Sequence, residues 1–236
     1  MIVFACIAPH GDLDLDPSLR PAMEELARRW DAAAPDVAVV VTPHNVHVAG
    51  HFAVIVAANV GEWETDRATA EALLGLDLPI LGVSFGGNDP ATAEMPIDWG
   101  TEIPLVFLRA PKVVVVSSAR DVSLDRHLQL GEAIAALPGR VGLIASADHG
   151  HTHRADGIYG YHPAAAEYDA LLQEILASPR LDFLPLAESA GDGKADSLWQ
   201  LLVLQGAVGV DARADVLAYA APTYYGMLVA EVETAA

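Results

Sequence analysis

Apolar residues gather along the chain in short, nearly continuous runs, separated by turn-forming residues and by longer stretches of helical spacing. Seven runs have strand length: residues 2–8, 37–42, 52–57, 79–83, 112–117, 141–145 and 227–232. Several are continuous rather than alternating, which predicts strands covered on both faces. Between them, apolar positions recur at helical intervals over residues 17–30, 65–74, 125–137, 163–177 and 196–206. Asp16-Pro17-Ser18 gives the first helix its start signal, Pro138-Gly139 stops the third, and Gly206 ends the last. Strands alternating with helices predict an α/β fold. We expect a single layered domain over residues 1–236, with a central, largely parallel or mixed sheet flanked by helices. Neither a repeat, a low-complexity tract nor a Ser/Gly linker divides it.

Composition supports a sizeable core, since 53% of residues are hydrophobic and only 19% are charged. Apolar runs stay below the roughly 18 residues that a membrane span needs. The opening "MIVFACIAP" lacks a basic leader region and a small-residue cleavage site, so it reads as a buried first strand. A net charge of −19 argues against nucleic acid and anionic membrane as partners. The single cysteine, Cys6, excludes an internal disulfide and suits a reducing cytoplasm, so a cytoplasmic protein is expected. A homo-oligomer is the default expectation for such a chain.

The chemistry lies in the loops that follow strands, where α/β folds bind ligands. His10 follows the first strand, and His44 and His47 follow the second in "TPHNVHV". The run at 141–145 leads into "SADHGHTHRADGIYGYHP", which holds His149, His151, His153 and His162, four of the nine histidines. A fourth strand leads into the turn-rich "FGGND". Three histidine-bearing loops, each directly after a buried strand, make a metal or acid–base site the natural reading. Neutral imidazole is the commonest protein ligand for divalent transition metals. Two histidines and a carboxylate with open positions serve both non-haem Fe(II) oxygenases and catalytic zinc.

Other motifs fail. Gly82-Val83-Ser84-Phe85-Gly86 matches a serine nucleophile elbow literally, but "GNDPATAEMP" after it makes a poor helix where the elbow requires one. There is no cysteine pair and no phosphate-binding Gly-Lys-Ser/Thr. His47 and His51 read as loop polar groups, His127 as a surface residue, and Trp30 and Trp199 as core. His162 is expected at the pocket mouth, beside Tyr159 and Tyr161.

In the order of its motifs, the chain resembles the class III extradiol ring-cleavage dioxygenases, the LigB-type family of the protocatechuate 4,5-dioxygenase catalytic subunit. "MIVFACIAPHG" is similar to the family's opening strand with its first metal-ligand histidine, here His10. "VAVVVTPHNVHV" is similar to the second strand, with the second ligand at His44. "IASADHGHTHRADGIYGYHPAAAEYD" resembles the loop of the acid–base histidine, which falls on His151. "AGDGKADSLWQLLVLQGAVG" resembles the carboxylate-bearing helix, and "YAAPTYYGMLVAEV" the closing strand.

The resemblance implies Fe(II) held by His10, His44 and one carboxylate, with a small aromatic, catechol-type substrate and O2 as reactants. It implies His151 as acid–base catalyst. His149 and His153 are alternatives in the same loop, since alternate residues of an extended segment share a side. Asp148 is expected to orient an imidazole or to cap. Two departures stand out. The family's glutamate ligand is replaced by Asp192 or Asp196, with Glu188 slightly upstream, and the Asp-His-Gly of catalytic relatives reads Asp98-Trp99-Gly100. A zinc-dependent hydrolase on the same ligand set is one alternative. The other is a catalytically altered or inactive fold relative acting as a binding protein, as in the Memo family.

Overall fold

The structure is a computed structural model that describes residues 1–234. Its strands are β1 (Ile2–Ala8), β2 (Val37–Thr42), β3 (Phe52–Ile55), β4 (Asn59–Val60), β5 (Trp63–Glu64), β6 (Ile80–Val83), β7 (Glu94–Met95), β8 (Lys112–Ser117), β9 (Val141–Ser146), β10 (Ala214–Ala220) and β11 (Met227–Val232). The helices are α1 (Leu19–Ala33), α2 (Arg67–Leu74), α3 (Trp99–Phe107), α4 (Leu124–Ala135), α5 (Ala164–Ala177), α6 (Ala187–Ala190) and α7 (Leu198–Val208). Among the described residues, no helix is long and apolar enough to cross a membrane.

Eight strands form one mixed sheet in the order β10-β11-β1-β9-β2-β8-β3-β6. Its centre is parallel, β1 to β9, β9 to β2 and β2 to β8. On one side β11 runs antiparallel to β1, and β10 antiparallel to β11. On the other side β3 runs antiparallel to β8, with β6 parallel to β3. The short β4, β5 and β7 make a separate three-stranded sheet.

Both faces of the centre are covered, as the continuous apolar runs require. Every residue of β2 and β9 is buried. Alternate side chains enter opposite layers. Val39, Val41 and Leu143 join Leu201 of α7 and Leu130 of α4, whereas Val40, Val115 and Ile144 join Met23, Leu26 and Trp30 of α1. Helix α7 is apolar all round because α4 covers its outer side, a packing typical of buried helices. The two approach so closely that a Cβ at Gly131 or Gly206 would collide with the backbone of the other helix.

Two main elements escape the sequence reading. The strand β10 lies at the sheet edge and is mostly half-exposed, so it leaves no continuous apolar run. Helix α3 contains Gly100 and Pro104, which read as breakers. It forms because Asp98 accepts a hydrogen bond from the Thr101 N–H at 3.1 Å, capping the first turn. His127, expected on the surface, is fully buried with its ring edge-on to Phe52, 4.8 Å between centroids. Its apolar helix face points inward, and its Nδ1 hydrogen-bonds the Ser123 carbonyl.

The topology sorts the loops. The parallel centre brings the carboxyl ends of β1, β2, β8 and β9 to one edge of the sheet, together with the loop that enters β11. The "FGGND" loop follows β6, which runs antiparallel to that centre, so it lies at the opposite edge. That expectation is therefore corrected.

Candidate metal centre

Three ligand-type side chains meet at this edge. His10 sits just past β1, His44 just past β2, and Asp196 just before α7. Their donor atoms lie within 4.8 Å of one another. His10 Nε2 is 3.3 Å from His44 Nε2 and 3.5 Å from Asp196 Oδ2, and His44 Nε2 is 3.9 Å from the same oxygen. Asp192 and Glu188, the other carboxylates considered, are exposed and outside this group. Glu188 lies on the exposed side of α6, and the turn between α6 and α7 leaves Asp192 exposed while burying Asp196.

The ligand rings are held from behind. Ser146, at the end of β9, contacts His10 Nδ1 at 3.0 Å, and its hydroxyl donates to the Gly100 carbonyl. That leaves His10 Nε2 directed at the cluster. A Cβ at Gly100 would fall 2.7 Å from His44 Cδ2, so glycine is required where α3 backs this imidazole. Asp148 accepts from the His10 N–H at 3.1 Å, and its other oxygen lies 3.6 Å from His10 Nε2. Orienting the His10 segment is thus its visible role.

Charge is concentrated here. Burial by itself disfavours a charged His10, but Asp148 and Asp196 beside it outweigh this and push its pKa up to about 9. Burial and the neighbouring His10 hold His44 below the usual imidazole range. Burial lifts the Asp148 carboxyl, whereas His10, His151 and His44 keep that of Asp196 low despite its burial. Asp196 Oδ1 is buried without a hydrogen-bond partner. A buried carboxylate oxygen without a donor is costly, and a cation is what satisfies it. Two imidazoles, one carboxylate and this orphaned oxygen fit a divalent transition metal.

The cluster opens into a cavity of about 680 Å³, whose walls include Trp99, Arg120, His151, Tyr159, Lys194 and Tyr225. The Trp99 ring lies 4.7 Å from that of His44, between centroids, and is 57% exposed at the rim. Of the loop histidines, only His151 reaches the cavity. Its Nδ1 contacts the His149 carbonyl at 2.5 Å, its Nε2 lies 3.9 Å from Asp196 Oδ2, and its ring stacks on Tyr225 with centroids 5.5 Å apart. Tyr159 lines the cavity as well, whereas Tyr161 and His162 are exposed outside it.

His149 and His153 do not share that side, a correction to the alternation argument. The loop is not extended: the Gly150 N–H donates to Asp169 Oδ1 at 2.8 Å, and the His151 N–H to the Gly193 carbonyl at 2.7 Å. His153 Nε2 turns away to Asp169 Oδ2 at 2.8 Å, an oxygen that also accepts from the Tyr219 hydroxyl. His149 is fully buried, with Nδ1 against Ser197 Oγ at 2.9 Å, and does not line the cavity. It joins the loop to the start of α7 rather than facing a substrate.

Burial pushes His149 down to about 4. The unfolded chain takes up that proton near pH 6.5, while the folded chain refuses it until about pH 4. Stability is therefore lost as pH falls through this window, by about 3 kcal/mol at most. Urea-unfolding midpoints at pH 7 and pH 4.5 should fall less steeply in His149→Gln than in the wild type; equal slopes would refute the assignment.

Ser146 had a weak sequence signal, since it closes a buried strand one residue before the loop. Asp169, Tyr225, Arg120 and Lys194 had none, because their neighbours come from distant segments.

The family model described as "Catalytic LigB subunit of aromatic ring-opening dioxygenase" matches residues 10–230, a span that begins at the first of the clustered histidines. Protein CA_C1420 of Clostridium acetobutylicum is 24% identical over 172 residues, 63% of this chain. The chain spans only 37% of that relative's length. The crystal structure of uncharacterized protein JW3007 from Escherichia coli K12 superposes with a TM-score of 0.68 at 17% identity, covering 97% of this chain and 98% of that one. That likeness is one of fold. The family match, by contrast, takes in the main sheet apart from β1 and the end of β11, with all three clustered side chains, and on it the chain belongs to the LigB family of aromatic ring-opening dioxygenase catalytic subunits.

Proposed function

We propose that the protein is an Fe(II)-dependent extradiol dioxygenase that opens the ring of a catechol-type substrate with O2. One observation carries this reading: two imidazole nitrogens 3.3 Å apart and a buried carboxylate share the floor of a cavity with a third, unligated histidine. His10, His44 and Asp196 would hold the ion. Iron(II), when bound there, would supply a Lewis-acidic and redox-active centre for the substrate and O2.

The chain's own residues do the rest. Ser146 and the Gly100 backbone hold the His10 ring in place, so its Nε2 stays available. His151 Nε2 lies 3.9 Å from Asp196 Oδ2 in the same cavity, and it accepts the proton of a substrate hydroxyl bound at the cluster. Imidazole is well suited to taking a proton and returning it in a later step. Tyr225 stacks on the His151 ring and fixes its plane. Trp99 occupies the place where relatives carry a pocket histidine, so it supplies an apolar wall and no proton. A planar ring slides between it and the tyrosines, displacing water.

Zinc on the same residues would direct the site to hydrolysis instead, and a chain without metal would be a binding protein. Metal content separates the three. Protein purified without oxygen or chelator is expected to hold about one iron per chain, lost in His44→Ala, and to consume O2 with catechol. Zinc in place of iron, or no metal in the wild type, would overturn the proposal.

A further inference from the structure

Helix α3 carries two apolar faces. Gly100, Thr101, Pro104 and Leu105 are buried against the sheet. Trp99, Ile103, Val106 and Phe107 follow the spacing i, i+4, i+7, i+8 and form a second, partly exposed stripe, with Trp99 57% and Val106 49% exposed and Phe107 also packing on the core. An outward row of large apolar side chains is a place where something binds. This row starts above His44, at the metal cluster, and runs away from it.

Along its outer half lies a second cavity, of about 260 Å³. It shares Gly11, Asp12 and Ile103 with the catalytic cavity and continues over Leu13, Val106 and Phe107. The guanidinium of Arg20, 6.0 Å above the Phe107 ring, stands at its outer end. The groove thus adjoins the substrate cavity across Gly11, Asp12 and Ile103.

We propose that the substrate is a catechol with an apolar substituent, an alkyl chain or a second ring, which lies along α3 in this groove. The inference rests on the ring-cleavage reading above. Adjacency to the catalytic cavity argues for the occupant: Ile103 lines both spaces, with His10 and His44 in one and Val106 in the other. The small volume suits a substituent of a few carbons and is too small for a partner's helix. Ile103, shared by both cavities, sets the angle at which the substituent leaves the ring.

The test is anaerobic calorimetry of Fe(II)-loaded protein with catechol, 4-methylcatechol and 4-propylcatechol. Each methylene buried in the groove should tighten binding about fourfold. The propyl compound should therefore bind tens of times more tightly than catechol itself. Val106→Asp places a charge in the groove at a half-exposed position that touches neither the cluster nor His151. It should leave catechol affinity unchanged and flatten the series. Equal affinities across the series, with catechol bound, would overturn the inference while leaving the ring-cleavage reading intact; so would an undiminished slope in Val106→Asp. Failure of catechol to bind the loaded wild type would remove the ring-cleavage reading and this inference with it. A loss of oligomer mass in Val106→Asp, measured by light scattering, would assign the stripe to contact between copies of the chain and overturn the proposal.

Discussion

Asp196→Ala is expected to cost the protein its metal, and Asp192→Ala to leave it in place. The two aspartates are four residues apart and chemically identical, so only their positions distinguish them. Asp196 is buried, with Oδ2 at 3.5 Å from His10 Nε2 and Oδ1 without a partner; Asp192 is exposed. Removing an outer-shell partner typically lowers metal affinity 10–100-fold, and removing a ligand should exceed that range. Competition with a chromogenic chelator measures both variants, and mass spectrometry counts the ion. The loss of the carboxylate also removes the charge that favours a protonated His10, so the two effects must be separated. Asp196→Asn helps do this, because it keeps the volume and one oxygen donor while removing the charge. Metal retained in Asp196→Ala, or lost in Asp192→Ala, would reverse the assignment.

Replacing His151 has the opposite signature. His151→Gln should keep its metal and lose turnover by about 10²–10⁴-fold, the usual contribution of a positioned acid–base group. Its ring contacts Tyr225 and the His149 carbonyl and lies 3.9 Å from Asp196 Oδ2, outside the ligand group. The loop around it is anchored by backbone groups at Gly150 and at residue 151 itself, so the substitution does not release the loop. The loss should fall on kcat, with substrate affinity largely kept, because proton transfer is needed for turnover and ring stacking is not. A fall in iron content parallel to the fall in rate would make His151 a ligand instead. His149→Gln, measured beside it, should retain most of its turnover, since His149 does not reach the cavity.

Much of this was legible in the chain itself. Continuous runs such as residues 37–42 and 112–117 can be stable only when covered on both faces, which makes the fold a layered α/β sheet. A parallel centre then sends the loops after β1, β2 and β9 to one edge, so His10, His44 and the histidine-rich loop converge before any coordinates are known. The identity of the carboxylate was not legible, because 192 and 196 lie in one short connection whose path is set by packing. Nor was the choice among three loop histidines. Periodicity sorts side chains only in regular segments, whereas this loop is shaped by bonds to Asp169, Gly193 and Tyr224, which are 19, 42 and 71 residues away.

Helix α3 marks the same boundary. Its glycine and proline look like breakers to a sequence reading. In the fold the glycine makes room for His44, and the proline's side faces the core. The sequence by itself determined the class of fold, the edge where the histidine-bearing loops gather and two of the three clustered side chains, because these follow from covering apolar strands and from chain order. Tertiary structure decided which carboxylate joins the two imidazoles and which loop histidine lines the cavity, because each depends on which way a loop or helix end turns once distant segments close around it.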